Sequence, residues 1–300
     1  MPQLALLLTT VVWGATFPAT KAALEQISPL SFLFLRFLLG TLVVCAVLVL
    51  MRRALTTNTA MLRMSVVASS WLFLGYVLQT VGLHLTTASN SAFITVLYVV
   101  FVPLYLRRLG AHTWVSNGMA LVGLWFLVKP AASANLGDVL TLGSAAAFAA
   151  HIVCLERYTR VTDAVSLFAW QLVLMTVAML GVMWWEEPTA TMFAPTQVLV
   201  VGLVVTGVLA TGAFGVQMWA QQLLPAQQVA LLFAAEPAIA AWLAWYFLGE
   251  NLDAQGWFGS VMILGGVLLG SWVSGEGTAT QATSVSVRPE GGERGSEVRE

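Results

Sequence analysis

Ten apolar stretches divide this 300-residue chain, and each is long enough to cross the hydrocarbon core of a bilayer as a helix. A core about 30 Å thick takes roughly 20 apolar residues at about 1.5 Å of rise each. The stretches run over residues 3–22, 29–51, 64–86, 88–107, 113–129, 137–157, 163–185, 196–216, 226–248 and 253–274. Leu38 to Leu50 and Val198 to Leu209 show no period of two, which excludes the alternating segments of a transmembrane barrel. Only 9% of the residues are charged, against roughly 25% in a soluble domain. The expected fold is therefore an all-α integral membrane protein of about ten transmembrane helices.

The few basic residues set an expected orientation. With the N-terminus in the cytoplasm, the inward connections hold Arg52, Arg53, Arg63, Arg107, Arg108, Arg157 and Arg160, and the outward ones hold only Lys21 and Lys129. That bias obeys the positive-inside rule and exists only if the helices alternate as proposed. Both termini are then cytoplasmic. The start of the chain reads as a retained helix rather than a cleaved signal, because no basic residue precedes it and Trp13 and Pro18 make a poor cleavage context. Cys45 and Cys154 both fall within spans, so no disulfide framework is expected. From 275 to 300 the chain turns rich in Gly, Ser, Thr and Glu and loses its aromatic residues, which predicts a disordered cytoplasmic tail.

The chain also repeats itself. At a separation of 135 residues, Trp13-Gly14-Ala15 meets Phe148-Ala149-Ala150, Ser31 meets Ser166, Arg36 meets Gln171, Leu39 meets Leu174 and Thr41 meets Thr176. At 138, Gln79 meets Gln217, Ala88 meets Ala226 and Ala92 meets Ala230. The expected organisation is a first repeat over 1–130 and a second over 131–274, five helices each. An odd number of spans per half puts the second half into the membrane upside down, and inverted repeats of this kind are a transporter architecture.

Polar groups inside a bilayer are costly and tend to face a cavity or a partner. The candidates are Arg36, Gln79, His151, Gln171, Gln217, Gln221, Gln222 and Glu236, with His84 and Asn90 nearer the helix ends. Two roles suit Arg36: tying helices together through backbone carbonyls, or binding a substrate carboxylate in bidentate fashion. Glu236 suits a proton-coupling group, a partner for a substrate amine, or one member of a structural pair with Arg36. Pro237 removes a backbone hydrogen bond beside it and predicts a kink. His151, aligned with Thr16, suits a proton relay or an interhelical hydrogen bond. Trp13, Tyr98 and Trp170 fall at interior positions, where aromatic rings would suit apolar solutes and cations. The substrate-binding set expected from sequence is thus Arg36, Trp13, Gln79, Tyr98, His151, Trp170, Gln171 and Gln217. Glycines on the fifth span (Gly118, Gly123) and tenth span (Gly259, Gly265, Gly266, Gly270) predict a close helix pair there, between halves or between protomers.

In order and spacing, several motifs match a known family. They are Trp13-Gly14 with Phe17, Ile27-Ser28-Pro29 leading to Arg36-Phe37, Thr86-Thr87-Ala88-Ser89 leading to Ala92-Phe93-Ile94 and Pro103, and Glu236-Pro237 followed by Leu248-Gly249-Glu250. The sequence resembles the drug/metabolite transporter superfamily and, within it, the EamA-type permeases, over nearly all of the chain except the tail. The resemblance implies ten helices in two inverted five-helix repeats around a central cavity, with both termini cytoplasmic. It also implies secondary transport, often export, of small metabolites such as amino acids. The first-half counterpart of Glu236-Pro237 is Tyr98-Val99, which has neither charge nor proline.

The expected function is therefore a bacterial inner-membrane secondary transporter that exports small metabolites by alternating access. The expected partners are a small-molecule substrate and the lipid bilayer, with no nucleic acid, and the chain is a monomer or homodimer. No phosphate-binding loop suggests ATP hydrolysis. No cofactor or metal is expected, since His84, His112 and His151 are too scattered for a metal site. The rival readings are a channel-like uniporter and an intramembrane enzyme, and the second lacks a Gly-x-Ser-x-Gly elbow.

Overall fold

The computed structural model describes residues 2–107, 110–128, 135–186, 190–238 and 253–286. All regular structure among them is helical. The first three spans are α1 (Pro2–Ala23), α2 (Pro29–Leu50) and α3 (Thr59–Leu85). The fourth is divided into α4 (Ala88–Thr95) and α5 (Tyr98–Tyr105). Then come α6 (Ala111–Val128), α7 (Leu136–Tyr158) and α8 (Ala164–Val182), the last running into a 3-10 turn at Met183–Trp185. The eighth span is α9 (Gln197–Leu203), a π-helical stretch over Val204–Leu209, and α10 (Ala210–Ala220). The ninth opens with α11 (Ala226–Phe233) and is helical again at 236–238. The rest of that span, with the Leu248-Gly249-Glu250 motif, lies outside the described residues, as do Arg108 and Lys129.

The last helix, α12 (Ala254–Ser286), runs past the end of the expected span. Composition predicts disorder from 275, yet the backbone is helical to 286, where extending a helix already nucleated adds a hydrogen bond for each residue fixed. Residues 287–300 lie outside the described residues.

Among the described residues, six helical stretches are long and apolar enough to cross a membrane: α1, α2, α3, α7, Ala164–Trp185 and Gln197–Ala220. Asn90–Tyr105 and Ala254–Gly270 are apolar but shorter. Leu8, Val49, Leu50 and Leu268 are each more than half exposed on the outside of the bundle. Water does not tolerate an apolar surface of that extent on a folded monomer, whereas lipid requires one. The protein is an all-α, multi-pass membrane bundle.

Local chemistry explains most helix ends. Pro29 occupies the first position of α2, where a missing N–H costs nothing. The Ser28 hydroxyl donates to Ser31, so the Leu30 N–H is capped instead by Glu186 at 2.7 Å. Asn58, Thr87, Asp163 and Thr196 each accept a backbone N–H at the start of their helices. Asn135 and Asp138 form a reciprocal capping box on α7. At the end of α2, Arg53 N–H reaches Leu48 O and Arg52 N–H reaches Val49 O, both at 3.0 Å. This closure puts Arg52 at φ 52°, the left-handed region normally given to glycine.

Small residues set the helix pairings. α6 lies along α12, with Gly123 and Gly259 each facing the other's backbone. α2 packs on α8, where the Thr41 and Thr176 hydroxyls share a 2.8 Å hydrogen bond. α3 packs on α7 and α1 on α10. One end of the bundle gathers Lys21, Asp138 and Glu186. There the Lys21 ammonium donates to the carbonyls of Leu83, His84 and Thr86, and the Thr86 hydroxyl donates to Asp138. The other end carries Arg52, Arg160 and an Arg53–Asp163 pair at 2.8 Å.

Candidate functional site

The interrupted fourth and ninth spans meet in the middle of the bundle beside α1, α3, α7 and α10, and they enclose a cavity. At 96–97 the fourth span tightens: Leu97 N–H bonds to Ile94 O and Val99 N–H to Val96 O, three residues back instead of four. At 234–235 the ninth does the same, with Ala235 N–H bonded to Leu232 O. Thr95 and Tyr98 flank the first of these turns, Phe233 and Glu236 the second, and all four line the cavity. Pro103 cannot donate to Val99 O, and the Asn117 amide on α6 takes that carbonyl at 2.7 Å instead.

The water-accessible volume of the cavity is about 90 Å³, several times the roughly 10–15 Å³ that one water needs. Of the eight residues in the expected binding set, with Glu236 and Pro237 beside them, six line it: Trp13, Gln79, Tyr98, His151, Gln217 and Glu236. Pro237 adjoins Glu236 in the helical segment that follows the turn. The other three stand back from it. Gln171 is fully buried behind His151 and accepts from its Nε2 at 2.8 Å, while its own amide donates to Leu167 O. Arg36 is buried against Tyr76, with its guanidinium carbon 4.3 Å from the ring centroid and its Nη2 donating to the hydroxyl at 3.0 Å. Among the described residues no ion pair joins Arg36 to Glu236, so the pairing considered from sequence is replaced by a cation–phenol contact. Trp170 points its indole N–H at Thr56 O, 3.0 Å away in the connection after α2, and does not reach the cavity. Its position along the span resembled that of an interior residue, but α8 turns that face toward the end of the bundle.

The polar lining is largely paired. Gln79 donates to the Thr95 hydroxyl at 3.2 Å. Gln217 donates to Gln221 at 3.0 Å, and Gln221 passes the chain on to Ile152 O at 2.9 Å. The Thr16 hydroxyl donates to Trp13 O in its own helix. Glu236 is buried, with no hydrogen bond or ion pair among the described residues.

The aromatic wall was the part missed from sequence. Tyr76 and Phe148 meet edge to face with centroids 5.2 Å apart, and Phe214 tilts against His151 at 5.7 Å. Phe17 and Phe233 complete the wall. The repeat offsets carry the signal that would have found them. At 135 residues Trp13 maps to Phe148, Thr16 to His151 and Phe17 to Ile152. At 138, Tyr76 maps to Phe214, Gln79 to Gln217, Thr95 to Phe233 and Tyr98 to Glu236. All fourteen residues line the cavity, and among the described lining residues Leu72 alone has no counterpart there.

A multi-pass bundle with a polar and aromatic cavity at its centre suits the passage of a small solute. The profile of the EamA-like transporter family matches this chain twice, over residues 1–129 and 135–272. The chain belongs to the EamA-like transporter family. It is thus a membrane transporter of the drug/metabolite type, and the family is not one of enzymes. An uncharacterized transporter of Archaeoglobus fulgidus is 29% identical over 275 residues, covering 89% of this chain and 84% of that protein. The uncharacterized transporter YoaV of Bacillus subtilis is 23% identical over 284 residues, covering 90% and 96%. A solved crystal structure superposes with a TM-score of 0.69 at 17% identity, over 91% of this chain and 98% of the other, a likeness of fold.

Proposed function

We propose that this EamA-like protein is a secondary transporter of a bacterial inner membrane, exporting small metabolites by alternating access between two inverted five-helix halves, residues 1–130 and 131–274. The substrates are amino acids or related compounds. Both termini are cytoplasmic, and the working unit is a monomer or homodimer.

The observation that supports this reading is the lining of the cavity, in which fourteen residues fall into seven pairs separated by 135 or 138 positions. Further support comes from the packing. Thr41 and Thr176, equivalent across the repeat, touch each other as residues beside a two-fold axis do. The pairings are reciprocal: α6 with α12 and α2 with α8 are each a helix against its own equivalent, and α3 on α7 mirrors α10 on α1. The family profile matches once in each half. A site shared equally by two oppositely inserted halves opens to either side by the same rearrangement.

The turns at 96–97 and 234–235 interrupt the regular hydrogen-bond ladder beside the cavity, so that is where the fourth and ninth spans bend. Trp13, Gln79, Tyr98, His151 and Gln217 contact the solute, with Gln171 orienting His151 and Arg36 acting through Tyr76. Trp170 belongs to the same set only if the far end of α8 rearranges. Glu236 is the proton-coupling group, and Pro237 keeps its helix segment kinked.

Two measurements test the reading. A resistance screen with toxic metabolites in cells overproducing the protein identifies a solute, and flux of that solute is then followed in proteoliposomes. Glu236→Gln and Arg36→Ala each reduce that flux by at least tenfold. Unchanged flux in both variants would overturn the site assignment.

A further inference from the structure

We infer that the cavity selects an apolar organic cation, an amine with an aromatic or aliphatic body, and that Glu236 supplies its counter-charge. The inference rests on the transporter reading and departs from it in substrate class, with amines in place of amino acids.

Charge is the first ground. Glu236 is the one acidic group in the lining, and no Lys or Arg lines the cavity among the described residues. A carboxylate in a low-dielectric site requires a partner, and this one makes no hydrogen bond or ion pair to the described protein. The nearby candidate for a substrate carboxylate, Arg36, is covered: its guanidinium lies over the Tyr76 ring, and Tyr76 forms the wall. A zwitterion would therefore bring its carboxylate into a low-dielectric space that offers no cation to pair with it, beside the carboxyl of Glu236, and an unpaired buried anion opposes binding.

Hydrogen bonding is the second. Gln79 and Gln217 each commit one of their two amide N–H groups, to Thr95 and Gln221, and keep their amide oxygens as acceptors. With the Gln171 oxygen accepting, His151 Nε2 is a spent donor as well. The phenol hydroxyls of Tyr76 and Tyr98, the indole N–H of Trp13 and the second amide N–H of each glutamine remain as donors, and the two glutamine oxygens stand with the Glu236 carboxyl as acceptors for a cation. An ammonium group carries only donors.

The wall is the third ground. Seven aromatic side chains face the cavity, four of them contributed as the pairs Trp13 with Phe148 and Tyr76 with Phe214. Ring faces attract cations and pack against apolar bodies.

The test uses three solutes that share a phenyl body and differ in charge: phenethylamine, phenylalanine and 3-phenylpropionate. Binding of radiolabelled phenethylamine to the purified full-length protein in detergent is competed by each in turn. Phenethylamine is expected to compete at least tenfold better than the other two, Glu236→Gln to lose at least tenfold in its affinity, and Glu236→Asp to recover part of that loss. The melting temperature of each variant establishes that it is folded. Equal or stronger competition by phenylalanine or phenylpropionate would overturn the inference, as would undiminished binding to folded Glu236→Gln or no binding of phenethylamine. If the amine fails while another solute shows Glu236-dependent flux in proteoliposomes, the cation assignment falls and the transporter reading stands. If no solute of any charge is moved, both fall.

Discussion

The seam between α6 and α12 allows a prediction whose sign and size both come from geometry. A methyl group added at Gly123 would lie 2.5 Å from Gly259 O and 2.7 Å from Ile263 N, and one added at Gly259 would meet Gly123 O and Leu127 N in return. Ordinary contact begins near 3.4 Å, so Gly123→Ala must move the helices apart by about 0.9 Å. The atoms struck are backbone, which cannot swing away, so the cost sits at the upper end of overpacking, about 3 kcal/mol. Alanine returns about 1 kcal/mol through its better helix propensity, leaving a net loss of about 2 kcal/mol. Gly118 on the same helix faces open space, so Gly118→Ala keeps only the propensity term and stabilises by up to about 1 kcal/mol. Gly123→Ala with Gly259→Ala is expected to cost about 1 kcal/mol rather than the sum of about 4, because one separation of the helices, costing about 3, relieves both clashes while two alanines return about 2. Unfolding titrations with SDS in mixed micelles measure all four proteins. Equal effects of Gly118→Ala and Gly123→Ala, or full additivity in the double variant, would refute the reasoning.

Arg52→Gly removes a left-handed non-glycine residue from the end of α2 and should stabilise by about 1 kcal/mol in the same titration. Lys21→Met strips three carbonyls at the end of α3 of their donor and should cost about 1.5–3 kcal/mol, with faster amide exchange at the α3–α4 junction. Burial pushes the Asp163 carboxyl up, but hydrogen bonds from Ser166 and Val165 and the nearby Arg53 outweigh it and hold the group below its ordinary value. A carboxyl lowered on folding contributes stability above its unfolded pKa, near 4, and loses it as pH falls through the lower folded value. Asp163→Asn should therefore flatten the acid limb of a plot of melting temperature against pH below about 4. Moving the acid across the repeat, as Tyr98→Glu with Glu236→Tyr, should restore part of the flux lost in Glu236→Gln. A folded double variant with no recovery would count against the inverted-repeat reading.

The helices were legible because the bilayer imposes length and apolarity on every span, and caps such as Asn58, Asp163 and the Asn135–Asp138 box mark their starts. α3 begins at Thr59 rather than 64 because its cap precedes Arg63, a charge that reads as loop in sequence but sits in the exposed first turn. The tightened turns were not legible. Val96-Leu97 and Ala234-Ala235 are ordinary helix residues, with no glycine or proline to announce an interruption. The π stretch contains one glycine, Gly207, which faces the backbone of Arg36, and there tertiary packing decides the local winding. In the cavity, the polar residues stood out because polar groups are scarce in a membrane. Tyr76, Phe148, Phe214 and Phe233 did not, since aromatic residues in such a chain also pack helices and anchor interfaces. The phenol beside Arg36 was not legible for a related reason: charge points to carbonyls or a carboxylate, and nothing in the sequence tells that Tyr76, one helix away, offers both a ring face and a hydroxyl.

The cavity pairs fall into two groups. Trp13 with Phe148, Tyr76 with Phe214 and Gln79 with Gln217 exchange like for like, conserving the shape and stickiness of the wall across the repeat. Thr16 with His151, Thr95 with Phe233 and Tyr98 with Glu236 do not, nor do Arg36 and Gln171 behind the wall. A scaffold that opens one site to two sides needs its halves to agree in shape, because each must close against the same solute. It does not need them to agree in charge, since a charge serves the site equally from either half. Under the proposed duplication the matched pairs would be constrained and the unmatched pairs free to acquire chemistry, which would account for Glu236, the one acidic group lining the cavity among the described residues, having Tyr98 as its counterpart. Arg36, the buried cation of the other half, is the corresponding liability. Tyr76 covers it, so the wall facing the solute stays free of positive charge.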